Sequence, residues 1–138
     1  MKHAVLLCTL VLSASVWAAG PKTNFVDHSN DLLIDEAGAK AVMKANVPDK
    51  VWKIYPASKF AFLSQVEGGR TPSGTCVVAA RVMVMTLTPT AKAVLFRPQK
   101  TATAFDALPA ASSEQCRALA KDKLKEATIG VVSSIVKL

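Results

Sequence analysis

The chain has 138 residues, of which 51% are hydrophobic, 20% charged and 6% aromatic. Lys and Arg number 17 against 10 Asp and Glu, a formal net charge of +7. This apolar content excludes an intrinsically disordered chain, and seven Pro with six Gly exclude a collagenous or low-complexity one. The length suits one domain.

Residues 1–18 read as a secretory signal peptide. Lys2 and His3 make a short basic start, Ala4 to Leu12 an apolar run too short to span a bilayer, and Val16-Trp17-Ala18 a small-residue cleavage site. Cys8 lies inside the apolar run, whereas a lipid-modified Cys follows such a run. Cleavage after Ala18 leaves residues 19–138 as a single exported domain. No further apolar run is long enough to cross a membrane. Removing Lys2 leaves 16 basic and 10 acidic residues, a net +6. Outside the cytoplasm, such a charge points to acidic proteins or anionic envelope polymers rather than nucleic acid.

Two cysteines remain, Cys76 and Cys116. An even count in an exported chain predicts one disulfide. Closing a loop of about forty residues stabilises the fold by roughly 3–4 kcal/mol on chain-entropy grounds.

Residues 19–30 lack periodicity and read as an extended lead-in. A helix is predicted over 36–46, with Asp35 as N-cap, Glu36 in its first turn and Pro48 ending it. Residues 51–55 alternate loosely and read as strand. A second strand runs over 60–67, with Phe60, Phe62, Ser64 and Val66 on one face. Gly68 to Gly74 reads as a loop with Arg70 at its tip.

Thr75 to Thr88 is the strongest strand signal. Cys76, Val78, Ala80, Val82 and Val84 share one face. The other face is also largely apolar, which predicts a central strand covered on both sides. Ala91 to Arg97 reads as another strand, and Thr101 to Phe105 as a fourth or edge strand. Ser112 with Gln115 spells a capping box for a C-terminal helix. Its apolar stripe of Cys116, Ala120, Leu124 and Ala127 carries it to about residue 128. Together these elements predict an α+β fold. Its sheet is an antiparallel meander of three to four strands, with an N-terminal and a C-terminal helix and one disulfide.

The chemistry is sparse. One His, His28, remains after the leader, so a His-rich metal site is excluded and no metal or cofactor is expected. Asp27, His28 and Asp31 match no standard ligand spacing. No G-x-S-x-G elbow or phosphate loop appears, and Ser134 to Lys137 spells S-x-x-K only at the chain end. Catalytic residues are therefore expected to be absent, and the chain is read as a binding protein rather than an enzyme.

The recognition residues singled out are Arg70, whose guanidinium can fork onto a carboxylate, and Trp52, Tyr55 and Lys59, which bring aromatics and a cation together. The competing reading for Trp52 is core, and for Arg117, Lys121 and Lys125 a solvated helix face. The function expected is a small periplasmic or secreted protein that neutralises an envelope-acting enzyme or toxin by contact, as an inhibitor or immunity-type protein does. The partner is expected to be acidic. The alternatives are a binder of an anionic envelope polymer or small ligand, and a cryptic hydrolase.

Overall fold

A computed structural model describes residues 20, 22–89 and 97–137. The leader over 1–18 lies outside the described residues, as does all but the last residue of the strand expected over 91–97. The elements run β1 (Phe25–Asp27), α1 (Glu36–Asn46), α2 (Asp49–Ile54), β2 (Phe60–Arg70), β3 (Cys76–Thr86), β4 (Lys100–Leu108) and α3 (Ser113–Ser133). The fold is α+β, built on a four-stranded sheet of order β1-β2-β3-β4.

The sheet is mixed, and this corrects the expected antiparallel meander. β2, β3 and β4 are antiparallel neighbours, but β1 pairs parallel to β2, with Phe25 opposite Phe62 and Asp27 opposite Ser64. A parallel pair needs a crossover, and α1 with α2 supplies it. β1 lies within the lead-in read as irregular. The pairing continues past the strand through bonds from the His28 N–H to the Ser64 carbonyl and from the Asn30 N–H to the Val66 carbonyl, both 2.9 Å.

α1 begins where the sequence places it. The Asp35 carboxylate accepts from the Gly38 N–H at 2.7 Å, and Glu36 pairs with Lys40 one turn on. The strand expected over 51–55 is instead the short helix α2. Asp49 favours its first turn and Lys53 its last. Burial of Val51, with Trp52 packed beside it against the core, outweighs the β-propensity of these residues.

The core lies between the sheet and the helices. Phe62 and Val66 on β2, and Cys76, Val78, Ala80, Val82 and Val84 on β3, all turn to the helix side and are buried. They meet Met43 from α1, Val51 from α2, and Cys116, Ala120, Leu124, Ala127 and Val131 from α3. α3 packs chiefly on β3 and β4. Its approach is close: a Cβ on Gly130 would stand 3.1 Å from the Cβ of Ala102. Residues Ala80, Ala102 and Ala104 keep this part of the sheet low enough for the helix to settle on it.

The second face of the sheet is covered over only part of its length. Ala61, Leu63 and Met85 are buried there, but Val77, Ala79 and Arg81 are exposed. The expectation of a β3 covered on both sides therefore holds for one half of the strand. α3 carries the predicted capping box. Ser112 Oγ accepts from the Gln115 N–H at 3.1 Å, and Gln115 Oε1 accepts from the Ser112 N–H at 2.8 Å. The helix continues past residue 128 to Ser133, because Thr128, Val131 and Val132 are buried along the same side. There the Thr128 hydroxyl is satisfied by the Leu124 carbonyl at 2.7 Å.

Candidate recognition cleft

The Cys76–Cys116 disulfide forms, with α-carbons 5.6 Å apart. Its position organises the surface around it. Cys76 starts β3 directly opposite Arg70, the last residue of β2. Cys116 lies in the first turn of α3, immediately before Arg117. Cross-strand spacing, the bridge and one peptide link therefore hold the two arginine α-carbons within about 15 Å of each other.

Between them lies a cleft of about 330 Å³, lined by Asn30, Leu32, Leu33, Gly68, Gly69, Arg70, Ser113, Cys116 and Arg117. Leu33 and Cys116 are buried at its base, and Leu32 stands on the rim with 81% of its surface exposed. The leucines are held by a turn in which the Asn30 side chain accepts from the Leu32 N–H at 3.0 Å. The Asn30 carbonyl accepts from the Leu33 and Ile34 N–H groups at 2.9 and 3.1 Å.

The glycine pair shapes the opposite wall. Gly68 and Gly69 have φ of 122° and 148°, a region that side chains with a Cβ rarely adopt. At Gly68 a Cβ would meet the Val77 carbonyl oxygen at 2.0 Å. The pair lets β2 run on, still paired, to Arg70. Arg70 is thus a strand-end residue, not the tip of a loop, and this corrects its expected place. The loop proper is 71–75, closed by bonds between Thr71 and Thr75.

Both arginines are exposed, and neither guanidinium has a hydrogen-bond or ion-pair partner among the described residues. Arginine stays charged at every accessible pH and offers a planar fork of donors. The start of α3, at Ser113, adds the positive end of a 21-residue helix to the same rim. The cleft can therefore hold a carboxylate or another small anionic group, with apolar contact from Leu32 and Leu33 beside it.

The other recognition residues lie elsewhere. Arg70 and Phe60 are the two ends of the eleven-residue β2, about 33 Å apart along the strand. Near that far end, Trp52 packs edge-on against Phe25 and Phe62, with ring centroids 5.5 and 5.2 Å away. Tyr55 meets Phe60 at 4.9 Å in the same manner. These contacts place Trp52 and Tyr55 against the core. The Trp52 Nε1–H is buried there without an acceptor among the described residues. Lys59 is exposed at the entry to β2, and its carbonyl accepts from the Leu87 N–H at 2.7 Å. The structure thus groups Arg70 with Arg117 and sets the other three apart.

The acidic segment near His28 has a structural account. Asp27 Oδ1 accepts from the hydroxyls of Ser29 and Ser64, both at 2.6 Å, and so fixes the turn out of β1. No group of three or more His, Cys, Asp and Glu side chains placed to hold a metal occurs among the described residues.

No family model matches this chain. No curated protein matches it either. Among solved structures it is similar to the PelC dodecamer from Paraburkholderia phytofirmans, at 12% identity and a TM-score of 0.47, covering 79% of this chain and 88% of that one. It is also similar to a protein of Caulobacter crescentus CB15 described as a lipoprotein, at 11% identity and a TM-score of 0.35, covering 80% and 83%. At these values neither likeness carries a function to this chain. No helix among the described residues is long and apolar enough to cross a membrane.

Proposed function

We propose that this protein is a small exported binding protein whose contact site is the Arg70–Arg117 cleft, and that it grips an acidic group of a protein partner there. The observation that carries the proposal is the pair of arginines fixed on either side of one disulfide, their guanidinium groups without a partner among the described residues, above a base of Leu33 and Cys116 with Leu32 on the rim. A carboxylate flanked by an apolar side chain satisfies both features. A uniformly charged polymer uses only the arginines and leaves Leu32 in water, so the protein partner is the better fit. Where that partner is an envelope-acting enzyme or toxin, occupation of the cleft makes the chain an inhibitor or immunity-type protein. Export rests on the leader-like residues 1–18 and the disulfide. The contact itself performs the function, with no chemical step.

Backbone amide NMR tests this directly. Titration with a blocked Leu-Glu dipeptide is expected to shift the amides of Gly68, Gly69, Ser113 and Cys116 in the wild type. The shifts should be lost in the Arg70→Ala, Arg117→Ala double variant and retained with a distant Lys59→Ala change. Amides at the cleft that do not respond, or that respond equally without the arginines, reject the proposal.

A further inference from the structure

β4 closes one side of the sheet, and among the described residues no strand pairs with its outer edge. It is nine residues long, KTATAFDAL, without Pro. Open edges of this kind are templates for another strand. The Ala107 N–H is accepted by the Asp106 carboxylate at 2.8 Å rather than by β3. Backbone groups alternate along an antiparallel strand, so odd-numbered residues of β4 turn theirs to the open edge. Phe105 is 79% exposed on the sheet face away from α3.

The charges at this edge are unbalanced in a complementary way. Asp106 and Glu126 share the single ammonium of Lys123, at 3.3 and 2.8 Å, which leaves a net negative charge at one end of β4. Lys100, at the other end, has no ion-pair partner among the described residues.

We infer that two copies of this chain pair through β4, antiparallel, about a two-fold axis at Thr103. In this register Thr103 faces its own copy as a hydrogen-bonded pair. Lys100 then stands opposite Asp106 of the second copy, and the symmetry makes this contact twice. These are non-hydrogen-bonded positions, where facing side chains come closest. Each lysine supplies the cation that the Asp106–Lys123–Glu126 group lacks. Phe105 comes to lie opposite Thr101, and two four-stranded sheets become one of eight strands. Moving the axis one residue, to Ala104, puts Lys100 opposite Leu108 and loses both ion pairs, so charge selects the register. The inference does not depend on the cleft, which lies at the Cys76–Cys116 end of the sheet.

Sedimentation velocity of the disulfide-bonded protein over a concentration series tests it. The wild type is expected to dimerise reversibly. Lys100→Asp and Asp106→Lys each place like charges across the axis twice and should weaken self-association at least about tenfold. Mixed in equal amounts, the two variants restore an opposite-charge pair at both positions, and a heterodimer is expected. A wild type that stays monomeric up to about 1 mM overturns the inference. So do single variants that dimerise like the wild type, or a mixture that associates no better than its components. The Lys100→Asp arm leaves the Lys123 pair intact, so a folding defect in Asp106→Lys shows in its circular dichroism and is then replaced by Asp106→Asn. Mixed with Lys100→Asp, that substitute keeps one Lys100–Asp106 pair and no like-charge contact, so the mixture should associate more strongly than either variant alone.

Discussion

Replacing Cys76 and Cys116 together by Ala tests the bond that positions the cleft. The bridge spans 40 residues of sequence. Chain-entropy arithmetic for a loop of that length gives about 4 kcal/mol of stabilisation, through restriction of the unfolded chain. Both sulfurs are buried, so their removal adds a packing loss in the same direction. For a domain of this size the change corresponds to a Tm lower by about 15 °C. Urea unfolding of the oxidised wild type and the double variant, followed by circular dichroism, measures it. The same samples, titrated with the Leu-Glu probe, should show weaker binding in the variant, because β3 and α3 no longer hold Arg70 and Arg117 in a fixed relation. A loss of stability below about 1 kcal/mol with equal probe affinity would refute the account of the disulfide as the frame of the site.

Three further outcomes are expected. Gly68→Ala should destabilise by more than about 2 kcal/mol, since a Cβ there collides with the Val77 carbonyl and the backbone lies at φ 122°; Gly69→Ala, with open space around its Cβ, should cost less, and thermal melts rank the two. Ser112→Ala removes the hydroxyl that accepts from Gln115 and should lower stability by about 1 kcal/mol, read by denaturant midpoint at an unchanged slope. The third concerns pH. The Ala107 N–H first, and then Lys123, hold the Asp106 carboxyl below its usual range, so its contribution is present above the ordinary carboxylate range and fades as pH falls through the lowered value. Glu126 chiefly holds the Lys123 ammonium above its usual range, so that contribution is complete below the ordinary lysine range and fades as pH rises through the raised value. Asp106→Asn should flatten the acid limb of a stability–pH profile and Lys123→Met the alkaline limb. Both effects are small because the acidic partners, Asp106 and Glu126, are exposed to solvent.

Some of this architecture is written plainly in the residues. The capping box at Ser112 and Gln115, the cap at Asp35 and the period-two run from Cys76 act locally, and each forms where the sequence puts it. The disulfide follows from two remaining cysteines. What depends on distant partners was not legible. The segment Val51 to Tyr55 has strand-forming residues, yet it folds as a helix because Val51 and Trp52 find a buried place beside Phe25 and Phe62. β1 has three residues and no period to read, and its parallel pairing is settled by β2 some 37 positions later. Arg70 was visible as a candidate, but its companion Arg117 looked like one cation in a solvated row. The signal that joins them is the bridge itself, since each arginine is a neighbour of one bonded cysteine, across the ladder or along the chain. Asn30 and Leu32 carried no comparable signal.

The parallel pairing of β1 also orders events in time. Residues 25–27 and their ladder partners at 62–64 are separated in the chain by both crossover helices. Closing such a distant contact is slow compared with forming the hairpin of β2 and β3, whose ends are joined by a short turn. β1 is therefore expected to join the sheet after the hairpin of β2 and β3 has assembled. Asp27, which reaches the Ser64 hydroxyl, can lock that strand only as a late step.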